Sequence, residues 1–339
     1  MQKVSLVVPR YLQKNIIFNE NSPKNRDAIF DKYIKLKSEF TKSGYDVSTC
    51  DINSPKESDI VIYFDMPKTP PKHNETHKSY LILIESELIR PDNYDKNMHR
   101  HFQKIFTWDD RLVDEKKYFK LNFSHKFPEV INKDLSIKER LCTLVAGNKK
   151  VSHPLELYSE RVKAIRWFER NHPEAFDLYG IGWDRYRFGG AKIVRALNKV
   201  PHLGTIYAKI TKQSFPSYKG AIQNKKEVME RYRFSICYEN AKDIPGYITE
   251  KIFDSFFAGC IPIYWGADNI ETYIPKECFI DKRDFQNYSE LYSYISTMPD
   301  ETYKKYLDNI ESFLTSDKSR QFTTSFYAQK IVSVILESL

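Results

Sequence analysis

Two carboxylates, Glu85 and Glu87, follow directly on the apolar run Leu81-Ile-Leu-Ile. Four apolar residues of this kind read as a buried strand, so Glu85 stands at its exit. Partial burial there raises a carboxyl pKa toward the range where it can take up a proton in a reaction. Asp65, after the apolar run Ile60 to Phe64, is a more distant carboxylate of the same type. A second group lies near residue 250. The run Phe234-Ser-Ile-Cys-Tyr delivers Glu239 and Asn240 to a strand end, and Pro245-Gly246 marks the loop that follows. Gly246 lets the backbone come close to a ligand. Tyr247, Glu250 and Lys251 then share one face of the first turn of a helix expected to begin around Ile248. The free N–H groups and dipole of that turn favour an anion such as a diphosphate. Lys251 neutralises anionic charge, Glu250 accepts hydrogen bonds from hydroxyls, and Tyr247 stacks or donates.

Both groups need rigid elements behind them. Val4 to Val8, Asp46 to Asp51, Asp59 to Phe64, Tyr80 to Ile84 and Ile105 to Trp108 are short apolar runs. They alternate with helical patterns such as Ile29, Tyr33, Leu36 and Phe40, which is the signature of a parallel sheet covered on both faces. A second series begins at Leu141 to Ala146. It continues through a helix over Pro154 to Arg170 and strands at Asp177 to Tyr179, Phe234 to Tyr238, Ile261 to Trp265 and Cys278 to Ile280. Helices near 288–296, 300–314 and 322–338 close the chain. The expected organisation is a Rossmann-like domain over 1–117, a linker over 118–139, a second Rossmann-like domain over 140–320 and a C-terminal helix over 321–339. Ligands in such sheets lie at the carboxyl ends of the strands and in the cleft between domains.

The chain has 339 residues, more than one core usually serves. Its 41% hydrophobic and 29% charged residues exclude a disordered chain. The five cysteines are scattered without metal-ligand spacing, which fits reduced thiols in a cytoplasmic protein. Met1 to Arg10 lack the apolar core of a signal peptide, no apolar run reaches membrane-spanning length and no nucleic-acid motif appears, so a soluble intracellular protein is expected. Net charge is +8. From Arg185 to Lys226 there is no acidic residue, while Arg185, Arg187, Lys192, Arg195, Lys199, Lys209, Lys212, Lys219, Lys225 and Lys226 fall within it. The stretch suits an anionic acceptor, donor phosphates or peripheral contact with an anionic membrane.

The run Tyr238-Glu-Asn, Gly246-Tyr-Ile-Thr-Glu-Lys251 and Ile261-Pro-Ile-Tyr-Trp-Gly266 resembles the signature of glycosyltransferase family 10, the α-1,3/α-1,4-fucosyltransferases, in its bacterial type. The match is clear over about 218–285 and weaker over 140–182 and 79–110. It implies an α/β GT-B fold, two Rossmann-like domains facing a central cleft, with GDP-fucose held by the second. On the family pattern, Tyr247, Glu250, Lys251, Glu239 and Asn240 fall on donor-binding positions. Arg161 falls on an arginine that contacts the donor phosphates, with Arg166 as its competitor, and Asn148 ends the matching small-residue-Asn strand. The family's Glu-x-Glu makes Glu85 the general base. Ile84 stands where the family has Gly, which keeps Glu87 as the alternative.

The resemblance implies an inverting transfer of L-fucose from GDP-fucose to a hydroxyl of a glycan or lipid-linked glycan, in lipopolysaccharide, capsule or protein glycosylation. Arg161, Lys251 and the helix start would stabilise the leaving diphosphate. No cofactor or metal is expected to be required, and no nucleic acid is an expected partner. Alternatives are a different GDP-deoxysugar and, more remotely, a non-catalytic module binding lipid or polyanion through 185–226.

Overall fold

A computed structural model describes residues 1–186, 188, 191–211 and 213–339. Arg187 and Lys212 of the basic stretch lie outside the described residues.

The first sheet contains β1 (Gln2–Val7), β2 (Tyr45–Thr49), β3 (Ile60–Phe64), β4 (Ser79–Leu83), β5 (Lys104–Thr107) and β6 (Tyr118–Lys120). Their order is β2-β1-β3-β4-β5-β6, and every pairing is parallel. Parallel strands need covering on both faces, and β3 and β4 are buried almost throughout. Helix α1 (Asp31–Lys42) covers one face with Tyr33, Leu36 and Phe40, and Gly44 past its end takes φ +86°. A short helix, α2 (Lys96–His99), precedes β5.

The second sheet has the order β12-β11-β10-β7-β8-β9, again all parallel. Its strands are β7 (Arg140–Val145), β8 (Phe176–Tyr179), β9 (Tyr218–Gly220), β10 (Tyr232–Tyr238), β11 (Ile261–Trp265) and β12 (Ile280–Asp281). The helices between them are α3 (Tyr158–Asn171), α4 (Lys192–Ala196), α5 (Leu203–Ile210), α6 (Lys225–Met229), α7 (Glu250–Phe257) and α8 (Ile270–Tyr273). Helices α9 (Tyr288–Ser296), α10 (Asp300–Leu314) and α11 (Thr324–Leu336) follow. Helix α11 crosses back to the first domain. Its Tyr327, Ala328, Ile331 and Ile335 join Leu6, Leu36 and Phe40 in one core, and Thr324 Oγ1 donates to Asp31 at 2.5 Å.

The segment expected as linker contributes β6 before it leaves the first sheet. Beyond it, two side chains dock on α7. His125 stacks on Phe253 at 4.5 Å between ring centres, and Phe127 meets Phe253 and Phe257. The outgoing and returning crossings are tied together, with His125 N donating to Phe322 O and Thr324 N to His125 O.

Helix α7 begins at Glu250, two residues later than its periodicity suggests. Gly246 takes φ +80° and Thr249 is extended, so the chain is not helical before that point. Tyr247 therefore precedes the helix and does not share its first turn. Gly246 also approaches a different neighbour from the one expected. A Cβ there would lie 2.3 Å from the carbonyl oxygen of Trp108, so the close approach is between domains rather than to a ligand. Around this point Asp110 accepts from Lys120 at 2.6 Å, Tyr273 OH at 2.6 Å and Asn269 at 2.8 Å, and its own N–H donates to Pro245 O. The Trp108-Asp-Asp110 run is the clasp that holds the two domains in register.

Candidate active site

The carboxyl ends of β7 and β10 and the start of α7 enclose a cavity of about 260 Å³. Arg26, Lys149, Arg161, Lys225 and Lys251 line it against only two carboxylates, Glu250 and Asp254. Five cations to two anions favour an anionic ligand. Val145, Ile181, Ile222 and Met229 add apolar wall suited to a flat ring. A second cavity of about 650 Å³ opens between the domains and contains Glu85, Lys32, Phe123, His125, Phe127 and Phe257. The two share Lys225, Glu250 and Asp254, so they adjoin along the start of α7.

Arg161 sits on the first turns of α3 and is buried. Its guanidinium closes the end of β10, donating to Tyr238 O at 2.6 Å, Glu239 O at 2.7 Å and Asn240 Oδ1 at 3.0 Å. These bonds use Nε and Nη2, and no described residue accepts from Nη1. Burial lowers its pKa from the ordinary value, with partial compensation from Tyr158 and Glu239. Arg166, the competing arginine, is instead engaged by Glu169 and by the carbonyls of Gln213 and Ser214, away from the cavity.

Glu239 is fully buried and turns inward. Its carboxylate accepts from Thr249 N at 2.8 Å, Thr249 Oγ1 at 2.6 Å and Lys251 Nζ at 3.0 Å. An internal anion therefore occupies the approach to α7, and Glu239 acts by holding Lys251. Burial disfavours the ammonium of Lys251, but Glu239 and Glu250 outweigh it and raise the pKa. Lys251 stays a cation at the cavity wall. Glu250 is half-exposed in the cleft. Burial opposes its ionisation, yet Lys251 and Lys225 prevail and hold its carboxyl well below the usual range. Asp254, one turn later on the same face, pairs with Lys225 at 2.7 Å, while burial lifts its pKa to about 6.

Tyr247 is buried in the interdomain seam rather than in the cavity wall. Its ring lies 4.6 Å from Trp108, and its hydroxyl accepts from Asn240 Nδ2 at 3.3 Å. Trp108 Nε1 in turn donates to Ile84 O at 2.9 Å. A chain of contacts thus runs from Asn240 at the smaller cavity to the strand exit that carries Glu85. Asn148 acts on a loop: its Nδ2 donates to Gly182 O at 2.9 Å, fixing Gly147 and Ile181 at the cavity rim.

Glu85 faces the interdomain cavity. Burial, then Asp65, raises its pKa, against Lys149 and Lys251. Glu87 is exposed and is not among the residues lining either cavity. Asp65 is occupied, since its Oδ1 accepts from Ile84 N at 2.7 Å, Glu85 N at 3.0 Å and Asn93 Nδ2 at 2.7 Å. It takes φ +61° to do so. Asn93, fully buried, also donates to Glu85 O at 3.1 Å. Asp65 and Asn93 together aim Glu85. Of the residues singled out by the sequence and by the family resemblance, Arg161, Asn240, Glu250 and Lys251 line the smaller cavity and Glu85 the larger. The sequence does not reveal Asn93, Lys32, Lys149 or His125. Apolar surroundings push the His125 pKa down to about 3, so it is a neutral imidazole at the cavity wall. Among the described residues no group of three or more His, Cys, Asp or Glu side chains is placed to hold a metal.

Residues 189–331 match the model of glycosyltransferase family 10 (fucosyltransferase), C-terminal part. The alpha-(1,3)-fucosyltransferase FucT of Helicobacter pylori is 29% identical over 155 residues, covering 43% of this chain and 32% of that protein. The alpha-(1,4)-fucosyltransferase of Arabidopsis thaliana is 34% identical over 73 residues, covering 22% and 18%. The chain thus spans a third or less of the length of these relatives. Among solved structures, an alpha1,3-fucosyltransferase with GDP-fucose aligns over 99% of this chain and 90% of that one, at 16% identity and a TM-score of 0.55. An alpha-glucosyltransferase bound to UDP-glucose and abasic DNA aligns over 98% and 99%, at 11% identity and 0.59. The shared architecture is GT-B.

Proposed function

We propose that this chain, whose residues 189–331 belong to glycosyltransferase family 10, transfers L-fucose from GDP-fucose to a hydroxyl of a glycan or lipid-linked glycan. The observation that carries the reading is the cationic cavity at the ends of β7 and β10, whose β10 and α7 wall falls within residues 189–331 and which shares Lys225, Glu250 and Asp254 with the cavity that holds Glu85. Arg161, Lys225 and Lys251 meet the diphosphate, the apolar wall takes the base, and Glu250 accepts from sugar or ribose hydroxyls. Glu85 removes the acceptor proton while the acceptor oxygen attacks the anomeric carbon from the face opposite GDP. That single displacement inverts the anomeric centre. Charge building on the leaving diphosphate is balanced by the fixed cations.

These cations supply the role a metal would otherwise fill, so transfer should persist in excess EDTA. The products belong to lipopolysaccharide, capsule or protein-linked glycans, and the enzyme works in the cytoplasm, with peripheral membrane contact through 185–226. The free cysteines suit a reducing compartment. Among the described residues no helix is long and apolar enough to cross a membrane.

The test is a thermal-shift panel of nucleotide sugars. GDP-fucose should raise the melting temperature of the wild type and leave Lys251→Ala unmoved. A response to UDP-sugars with none to GDP-sugars would overturn the donor assignment. A stronger shift with another GDP-deoxysugar would move the donor while keeping the mechanism.

A further inference from the structure

Helices α4 and α5 present apolar stripes to water. Ile193, Val194 and Leu197 lie at i, i+1 and i+4, and Ile206, Tyr207 and Ile210 repeat that spacing. This is the pattern by which a helix normally meets a core. Here Ile193 is 85% exposed, Ile206 53% and Ile210 76%. Residues 193–210 contain seven of the fifteen exposed large hydrophobic side chains among the described residues. Every residue from 191 to 202 is exposed, and only Ala208 of 191–211 is buried. Such concentration marks a surface that is covered in use.

Charge identifies what covers it. Lys219 is salt-bridged to Asp177, Lys225 to Asp254 and Lys226 to Glu230, so the far end of the basic stretch serves the body of the domain. Lys192, Arg195, Lys199 and Lys209 are different. Among the described residues they have no ion pair, and no acidic residue lies between Arg185 and Lys226. A second copy of this patch would set like charges against each other. A surface that is apolar below and anionic above satisfies both properties, and a bilayer interface rich in acidic headgroups is such a surface. Helix α5 is tied to the segment that follows the cavity rim, with Tyr186 N donating to Gly204 O at 2.9 Å. Ile181 and Gly180 line the 260 Å³ cavity, and Asn148 holds Gly182 beside them.

We infer that the α4–α5 face docks on an anionic membrane surface, with Ile193, Ile206 and Ile210 inserted and Lys192, Arg195, Lys199 and Lys209 at headgroup level. This docking is independent of any transferase chemistry. It carries the mouth of the cleft to the surface where lipid-linked molecules reside.

The full chain is sedimented with vesicles of phosphatidylcholine alone or mixed equally with phosphatidylglycerol, without nucleotide. Binding is expected only to the mixed vesicles and should weaken steeply with salt. Lys192→Gln/Lys199→Gln/Lys209→Gln should weaken it about 100-fold, from about five-fold per cation. Ile193→Asp/Ile206→Asp/Ile210→Asp should abolish it, with unchanged circular dichroism because all three side chains are more than half exposed. Equal binding to both vesicle types, or none to either, overturns the proposal. So does a self-association removed by the Asp variant, or binding to duplex DNA in place of vesicles.

Discussion

Replacing Glu239 with Gln separates a residue that holds the site from one that touches the ligand. Glu239 is fully buried and accepts three hydrogen bonds, one from Lys251 Nζ at 3.0 Å. Gln keeps the volume and one oxygen but removes the charge that balances Lys251. Removing one partner of a buried pair costs about 3–5 kcal/mol, and the isosteric replacement belongs at the lower end. In a domain of ordinary size that is a fall in melting temperature of roughly 6–12 °C. Lys251→Met should cost a similar amount. The double variant should be less destabilised than the sum by about 2 kcal/mol, because neither charge is left alone. The assay is urea unfolding of the four proteins with GDP titration by calorimetry. Glu239→Gln should weaken GDP binding about ten-fold through a misplaced Lys251. Wild-type stability together with lost GDP binding would show that Glu239 contacts the ligand directly, and the positioning role would be wrong.

Three other outcomes follow from the same geometry. Glu85 must be ionised to accept a proton, so kcat/KM should rise with pH through its raised pKa, above the ordinary value of 4.5. Asp65→Asn keeps the oxygen that accepts from Ile84 and Glu85 but deletes the charge, so the acid limb should move to lower pH; an unmoved limb would exclude Glu85 as the titrating group. Gly246→Ala adds a Cβ 2.3 Å from Trp108 O at φ +80° and should destabilise by about 2–6 kcal/mol. Gly44→Ala, at φ +86° with nothing within 4 Å, should cost only about 1–3 kcal/mol in the same unfolding measurement. Asn93→Ala frees the carbonyl of Glu85 and should lower kcat while leaving KM for the donor within about two-fold; a change in donor KM alone would contradict its aiming role.

The sheets are legible in the sequence because parallel strands buried on both faces read as unbroken apolar runs, as in Ile60 to Phe64 and Leu81 to Ile84. One wall of the cationic cavity is legible because Asn240, Glu250 and Lys251 fall close together within residues 234 to 266. What one dimension conceals is side-chain direction. Glu239 and Tyr247 belong to the same run as Lys251, yet one turns into the domain and the other into the interdomain seam. The helix boundary shifts because the φ of Gly246 serves domain contact. Asp65 and Asn93 flank Glu85 from separate loops, with no periodicity linking them. His125 hides in a crossing where it and Phe127 pack on α7, too short a pattern to read as an element. The crossing of α11 to α1 joins the two ends of the chain and has no local signature at all.

The most direct test of the account is Glu85→Gln, assayed for both GDP-fucose binding and fucosyl transfer. Glu85 stands across the cleft from Arg161 and Lys251, so the variant should bind donor with wild-type affinity. Transfer should fall by about 10²–10⁴-fold. Transfer at the wild-type rate, or loss of donor binding in step with activity, would contradict the assignment of Glu85 as the base.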